Sequence, residues 1–217
     1  MTHQDAAQLG FQGEIYRKLL HLLAMAYPVG YLIVPAPWNG RILVALSLLA
    51  LTLDVLRSRH AATHRFFEQF FGFMMRGRER DVFGNGPVFN GATWVTVSFT
   101  LLILLFPFAV AVVSFALFMF GDAAAALFGR RFGRTPWLRV GATLEGSAAF
   151  LVAGLATSVM LISGLLPGPE FPIPLIAVIG ATLAATLIEA APLPVNDNLS
   201  APMGAALVMT GIMAFLA

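Results

Sequence analysis

The chain contains forty consecutive residues without a charged side chain, from Val82 to Gly121. The hydrocarbon core of a bilayer is about 30 Å thick and is crossed by roughly 17–25 mostly apolar residues in a helix. The stretch is therefore long enough for two crossings. Pro107 marks the natural break between them, because proline interrupts the hydrogen-bond pattern of a helix. This feature excludes an ordinary water-soluble domain.

The composition of the whole chain agrees with a membrane location. Of its 217 residues, 59% are hydrophobic and 11% are charged, whereas soluble domains carry about 25% charged residues. The net charge of +2 is too small to indicate a nucleic-acid-binding surface. Cysteine is absent, which excludes disulfides and thiolate metal sites. We predict an integral membrane protein with no nucleic-acid partner.

The hydropathy pattern predicts an all-α bundle of about seven transmembrane helices. The predicted spans lie near 15–34, 41–56, 92–106, 108–128, 146–166, 172–190 and 199–217. The span at 41–56 has the shortest uncharged core. Residues 1–13 form a polar N-terminal segment that lacks the pattern of a cleaved signal peptide. Residues 14–217 form a single transmembrane domain.

The basic residues predict the orientation in the membrane. If the N-terminus is cytoplasmic, twelve of the thirteen Lys and Arg residues lie on the cytoplasmic side, as the positive-inside rule requires. Most of the acidic residues lie at helix ends on the same side. We predict a multi-pass protein of the cytoplasmic membrane of a prokaryote. Its N-terminus and active site are then cytoplasmic, and its C-terminus is on the opposite side.

The loop at 57–91 contains an amphipathic segment. Apolar residues recur at positions 66, 67, 70, 71 and 74, which is the spacing of one helix face. Basic residues flank them. The pattern predicts a cytoplasmic interfacial helix in the headgroup region. The alternative is a helix that only packs on the bundle.

Two polar features stand out against the apolar background. The block Glu14-x-x-Arg17-Lys18-x-x-His21 places Glu14, Lys18 and His21 on one face of the first helix. Asp122 lies about two turns inside the fourth span, where a charge costs on the order of 2.5–3.5 kcal/mol and marks a candidate functional residue. A structural ion pair is the alternative for Asp122. Small residues spaced by four around it predict close contact with another helix.

Further carboxylates and turns lie on the same predicted membrane face. Asp122, Glu145, Glu189 and Asp197 converge there, and oxygen ligands of this kind suit Mg²⁺, which bridges phosphate oxygens. The turn before Asn90 resembles the helix starts that bind phosphate. Turns of this composition are equally common as simple connections between helices. Thr143 has the position of a helix N-cap. No glycine-rich P-loop is present.

These blocks together resemble the polyprenol kinase family, which includes dolichol kinase, phytol kinase and the CTP-dependent diacylglycerol kinases. The matching pieces occur in the family's order and are Glu14-x-x-Arg17-Lys18-x-x-His21, Arg76-x-x-Glu79, Asn90-Gly91-Ala92-Thr93, Gly121-Asp122-Ala123-Ala124-Ala125, Thr143-Leu144-Glu145-Gly146-Ser147, and Glu189-Ala190-Ala191-Pro192 with Asp197-Asn198. The resemblance covers about positions 14–200. It implies a membrane kinase that transfers the terminal phosphate of CTP to a lipid alcohol, such as a polyprenol, phytol, geranylgeraniol or diacylglycerol.

The resemblance also implies roles for individual residues. The expected catalytic residues are Asp122, Glu145 and His21. The expected ligands of Mg²⁺ are Asp122, Glu145, Glu189 and Asp197. The expected nucleotide- and phosphate-binding residues are Arg17, Lys18, Arg76, Asn90, Arg134, Arg139, Thr143, Gly146 and Ser147. Family members usually carry a lysine where this chain has Ala142. If that lysine contacts phosphate, either Arg139 or Arg134 replaces it or the activity is reduced or altered.

Two other functions remain open at this point. A membrane phosphatidate cytidylyltransferase would also use CTP and Mg²⁺, but it would release pyrophosphate rather than CDP. A small transporter would use Asp122 and His21 as ion or proton sites within the membrane. Such a path needs polar groups through the midplane, whereas most charges of this chain lie on one predicted face.

Overall fold

The structure is a computed structural model that describes residues 11–75, 77–164 and 171–217. In chain order the elements are α1 (Phe11–Leu23), α2 (Ala26–Ile33), α3 (Trp38–Arg59), α4 (Ala61–Phe71), a 3₁₀ turn (Gly72–Met74), α5 (Gly77–Arg80), α6 (Gly91–Leu105), α7 (Phe108–Phe132), β1 (Pro136–Trp137), β2 (Arg139–Thr143), α8 (Leu144–Ile162), α9 (Leu175–Ala190) and α10 (Asp197–Leu216). The fold is helical, as the hydropathy pattern predicts.

Four helices are long and apolar enough to cross a bilayer, namely α3, α7, α8 and α10. Among them is the span predicted at 41–56, which forms a helix of 22 residues because it extends beyond its uncharged core at both ends. The helices α6 and α9 are also apolar but have only 15 and 16 residues. Pro107 separates α6 from α7, as predicted.

The first predicted span is not one helix. The chain turns at Ala24 and Met25, and α1 and α2 flank this turn. Pro28 supplies the physical reason, because a proline cannot donate to the carbonyl four residues earlier and its ring clashes with that carbonyl. The carbonyl of Ala24 instead accepts a hydrogen bond from the backbone N–H of Tyr27 at 2.9 Å.

Helix α7 forms the centre of the bundle. In its most apolar stretch of 18 residues, 72% of the residues are buried. The corresponding stretches of α3, α8 and α10 have only 17–28% of their residues buried. The predicted small-residue face lies against α8: a Cβ atom at Gly121 would lie 2.9 Å from the ring of Phe150, and one at Gly146 would lie 3.1 Å from the carbonyl oxygen of Ala125. Small residues thus allow α7 and α8 to approach closely. The other long helices expose leucine and valine side chains over their outer surfaces.

A short β-hairpin interrupts the all-α pattern between α7 and α8. Strands β1 and β2 pair antiparallel, with Pro136 opposite Thr143 and Trp137 opposite Arg139. Gly141 has a φ of 89°, a conformation that favours glycine. The two strands are too short for a periodicity signal to reveal them from the sequence. The hairpin carries Arg139 to the end of the bundle.

The predicted amphipathic segment is a helix, α4, but it presents two different surfaces. Phe67 and Phe71 line a cavity, whereas Phe66 and Phe70 lie outside it and are more than half exposed. Hydrogen bonds from the guanidinium of Arg80 at 2.8–3.2 Å hold the carboxylate of Glu68, and they lower the pKa of Glu68. This exposed ion pair ties α4 to α5.

Candidate functional site

Polar contacts join several helix ends at one end of the bundle, which we call the polar end. It comprises the last turns of α3, α7 and α9, the first turns of α6, α8 and α10, and the N-terminal half of α1. Arg130 of α7 donates to Glu14 of α1 at 2.9 Å, across 116 residues of sequence. The blocks that the sequence singles out are therefore neighbours in space.

A cavity of about 510 Å³ opens at the polar end. Its polar wall is formed by Arg17, Lys18, His21, Glu79, Asn90, Asp122, Asn196, Asp197 and Asn198, and its apolar wall by Leu20, Leu23, Ala24, Tyr27, Phe67, Phe71, Met75, Ala92 and Val95. This size lies within the range of small-molecule sites. The cavity thus combines charged groups with a large apolar surface.

Asp122 is a buried charged group of the cavity wall. Its Oδ2 atom lies 2.5 Å from Nζ of Lys18 and 3.1 Å from Nε2 of His21. The contact to His21 does not have hydrogen-bond geometry. Asp122 and Lys18 are both buried, and a buried charge requires a partner of opposite charge. The predicted face of α1 therefore meets α7 in a cluster of one carboxylate, one ammonium group and one imidazole.

Arg17 is held at the cavity wall by Glu79. Its Nη1 and Nη2 atoms donate to the two carboxylate oxygens at 3.0 and 3.2 Å, the two-point geometry in which guanidinium groups also bind phosphate. Gly91 makes room for Arg17, since a Cβ atom at position 91 would lie 2.8 Å from Nη2. The start of α6 is thus packed directly against this guanidinium.

Arg139 links the hairpin to two predicted metal ligands. Its Nη2 atom donates to Glu189 at 2.6 Å and to Asp197 at 3.2 Å. Burial lowers the pKa of Arg139, but the two carboxylates outweigh that effect and raise it overall. Arg139 therefore remains a cation between two anions, three residues before Ala142 along β2.

Asp54 is a buried polar centre that the sequence-based site omits. It accepts hydrogen bonds from the backbone N–H of Asn90 at 2.8 Å, from its Nδ2 at 2.8 Å and from Oγ1 of Thr93 at 2.7 Å. Arg57 completes the cluster at 3.1 Å. Asn90 in turn caps α6 by accepting from the N–H of Thr93. The Asp-x-x-Arg spacing in an otherwise apolar span was the available signal.

Several predicted site residues do not line the cavity. Glu145 accepts hydrogen bonds from the backbone and hydroxyl of Thr135, and Arg134 is exposed. Thr143 is the N-cap of α8, as its alternative interpretation predicts, and accepts from the N–H of Gly146 at 3.1 Å. Gly146 packs against α7, and Ser147 is buried without a hydrogen-bond partner for its hydroxyl among the described residues. Arg76 lies outside the described residues.

The four predicted carboxylates lie at the polar end, but they do not form one metal site. In the part of the chain that the structure describes, no group of three or more His, Asp or Glu residues is arranged to hold a metal ion. The reason is that Glu145 turns to Thr135, while Arg139 holds Glu189 and Asp197. Asp122 and Asp197 do line the cavity. These two fit the pattern in which Mg²⁺ uses one or two carboxylates together with substrate phosphates.

Fold and site together define a class: a helical protein with helices long and apolar enough to cross a bilayer and a charged cavity at one end of its bundle. The chain is 32% identical over 201 residues to the uncharacterized protein RP860 of Rickettsia prowazekii, covering 92% of this chain and 95% of that protein. The chain belongs to the same family as this protein.

A more distant relative has a named activity. The chain is 26% identical over 172 residues to the CTP-dependent diacylglycerol kinase 1 of Schizosaccharomyces pombe, covering 76% of each chain. No protein-family model and no solved structure matches the chain.

Proposed function

We propose that this protein is an integral membrane lipid kinase that transfers the terminal phosphate of CTP to the hydroxyl group of a lipid alcohol. The observation that carries the proposal is the cavity, in which the buried pair Lys18 and Asp122, together with His21, adjoins an apolar wall. A lipid alcohol has the same two parts, a polar hydroxyl and an apolar chain. The distant likeness to a CTP-dependent diacylglycerol kinase supports the same reaction.

The chain would cross the bilayer seven times, with α1 and α2 together forming the first crossing. The polar end would face the cytoplasm, where CTP is available. The basic residues at this end agree with the positive-inside rule. The lipid acceptor would reach the cavity from the bilayer and the nucleotide from water.

In this mechanism the cations at the cavity wall hold the nucleotide. Phosphoryl transfer depends mainly on positioning and on the neutralisation of charge on the phosphate oxygens. Arg17 and Lys18 line the cavity, and in this mechanism they pair with phosphate oxygens. Mg²⁺, when held by Asp122 and Asp197, would supply further positive charge to the phosphates. Arg139 keeps Asp197 in place through the ion pair at 3.2 Å.

The hydroxyl of the acceptor must lose a proton as its oxygen bonds to the terminal phosphorus. Asp122 and His21 lie 3.1 Å apart at the polar wall, and either can accept this proton. The bond between the terminal phosphorus and its bridging oxygen breaks, and CDP leaves with the electron pair. A positioned general base contributes about 10²–10⁴-fold to such a rate.

The decisive experiment uses the purified full chain in lipid nanodiscs with Mg²⁺ and CTP labelled either at the α- or at the γ-phosphorus. The acceptors are dioleoylglycerol, phytol, geranylgeraniol, a long polyprenol and dioleoyl phosphatidate. Transfer of γ-label to an alcohol, with release of CDP, is the expected result. Transfer of α-label to phosphatidate, with release of pyrophosphate, would instead identify a cytidylyltransferase.

Two controls keep this experiment conclusive. Asp122→Asn should abolish transfer, whereas Asp81→Asn makes the same chemical change at an exposed position outside the cavity and should not. A folded protein that labels none of these lipids contradicts the proposal. Nucleotide-independent ion flux in proteoliposomes would favour the transporter.

A further inference from the structure

The cavity changes its chemical character along α1. Arg17, Lys18 and His21 line its polar part, and Leu23 and Ala24 line its apolar part. With a rise of 1.5 Å per residue, Lys18 and Ala24 are about 9 Å apart along the helix axis. Tyr27 of α2 continues the apolar lining beyond the turn. The cavity therefore runs from the charged cluster toward the apolar part of the bundle.

The apolar part of the cavity is open at its side. Leu20, Leu23 and Phe71 line it, yet they are 47%, 66% and 40% exposed. These residues belong to α1 and α4, so the opening lies between these two helices. We call this opening, with Leu20, Leu23, Ala24, Phe67 and Phe71, the side portal. In a membrane, an apolar surface of this kind contacts lipid rather than water.

The turn between α1 and α2 forms part of the side portal. Ala24 lines the cavity and is part of the turn. Non-helical backbone at membrane depth is tolerated where it is buried in protein or lines a cavity, and broken helices commonly form binding sites in membrane proteins. The break in the first predicted span thus coincides with the cavity wall.

The charge of the cavity wall selects the kind of head group that it can accept. The charged residues that line it are Arg17, Lys18, Glu79, Asp122 and Asp197. Two cations face three carboxylates, and both cations already pair with a carboxylate of this set. CTP brings Mg²⁺, which offsets part of its charge, whereas a phosphate on the acceptor lipid would add uncompensated negative charge to a wall with no cationic excess. An uncharged hydroxyl adds none.

From these observations we propose that the side portal binds the hydrocarbon chain of a bilayer lipid with an uncharged hydroxyl head group. The hydroxyl points toward Lys18, His21 and Asp122, and the chain leaves between α1 and α4. This inference rests on the proposed function, because it takes the bound lipid to be the phosphate acceptor. It adds where the acceptor binds and which acceptors are excluded.

The test uses photocrosslinking and needs no turnover. A benzoylphenylalanine at position 23 of the full chain in nanodiscs is irradiated with tritiated geranylgeraniol or tritiated dioleoylglycerol. The matched control carries the same group at position 207, which is an exposed leucine of α10 outside the cavity. We expect saturable labelling at position 23 by at least one alcohol, reduced by the unlabelled alcohol but not by dioleoyl phosphatidate. Labelling at position 207 should not saturate.

Equal and non-saturable labelling at both positions would contradict the proposal that the side portal binds the lipid. Competition by phosphatidate as strong as that by the alcohol would overturn the preference for an uncharged head group. Saturable labelling without phosphate transfer from CTP would leave the side portal in place and contradict the kinase. The two proposals can therefore fail separately.

The second measurement is the steady-state kinetics of a variant with a narrower portal. Leu23→Trp narrows the portal at an exposed position, where the fold tolerates a larger side chain. We expect the apparent KM for the lipid acceptor to rise by about tenfold, the scale of small changes in an apolar pocket, while the KM for CTP is unchanged. Leu207→Trp should change neither constant. An unchanged acceptor KM in Leu23→Trp would contradict the portal.

Discussion

Glu79 holds Arg17 through two hydrogen bonds of 3.0 and 3.2 Å, although 62 residues separate them in the sequence. The carboxylate accepts two hydrogen bonds from the guanidinium, as the oxygens of a phosphate group would. Since both residues line the cavity, an incoming nucleotide has to compete with Glu79 for Arg17. The observed structure thus contains an internal anion at a predicted phosphate-binding residue.

The first prediction concerns this competition. Glu79→Gln removes the negative charge and should lower the apparent KM for CTP by roughly three- to tenfold, because charge-assisted hydrogen bonds are worth about 1.5–3 kcal/mol net. Steady-state kinetics with varied CTP measure the effect. Glu68→Gln, which removes a carboxylate from the exposed pair with Arg80, is the control and should leave KM unchanged. A higher KM in Glu79→Gln would show that Glu79 orients Arg17 rather than competing for it.

Asp122 should be essential for turnover. Asp122→Asn keeps the shape of the side chain but removes its charge, and we expect transfer of label from CTP to fall by about 10²–10⁴-fold, the contribution of a positioned acid or base. Because Lys18 then lacks its buried partner, the double variant Lys18→Met/Asp122→Asn tests whether an inactive protein is still folded. Near-normal turnover of Asp122→Asn would exclude it as a base or metal ligand.

The Asp54 cluster should contribute strongly to stability. Removing one partner of a buried ion pair costs about 3–5 kcal/mol, and Asp54 and Arg57 are both about 1% exposed. We therefore expect Asp54→Asn to lower the thermal midpoint of the detergent-solubilised protein markedly. Asp81→Asn is the matched control and should leave the midpoint within a degree or so, since surface changes have small effects. Equal midpoints for the two variants would contradict the structural role of this cluster.

Arg139 and Ala142 allow a direct test of the departure from the family pattern. Arg139→Ala removes the cation between Glu189 and Asp197 and should reduce phosphate transfer. If Arg139 takes the place of the usual lysine, Ala142→Lys in the same chain should restore part of the lost rate. The measurement is kcat for the single and double variants at saturating CTP. A double variant as slow as Arg139→Ala would mean that position 142 does not reach the same groups.

The contact between α7 and α8 should be sensitive to a single methyl group. A Cβ atom at Gly121 would lie 2.9 Å from the Phe150 ring, and overpacking of this kind costs about 1–3 kcal/mol. Gly121→Ala should therefore lower the thermal midpoint. Gly30→Ala in α2 is the control, because a Cβ atom there has no neighbour within 4 Å. An unchanged midpoint in Gly121→Ala would show that α7 and α8 can separate without cost.

The local pattern of the sequence was sufficient to predict most helices and the breaks between them. Forty uncharged residues with one central proline predict α6 and α7, because helix length, hydropathy and proline geometry are local properties. The same holds for the amphipathic helix α4 and the N-cap Thr143. The break between α1 and α2 could also have been anticipated from Pro28, whereas the four residues that pair in the hairpin leave no periodic signal.

What the sequence by itself determined is a helical membrane protein whose few charged residues lie in blocks near helix ends. Only the tertiary structure decided which of those charges meet. Glu145 and Glu189 have the same residue type and a similar position near a helix end, yet Glu145 contacts Thr135 and Glu189 contacts Arg139. Buried charges require partners, and the partner depends on helix packing across more than a hundred residues, as for Lys18 and Asp122. Spacing within one helix carries no information on that packing.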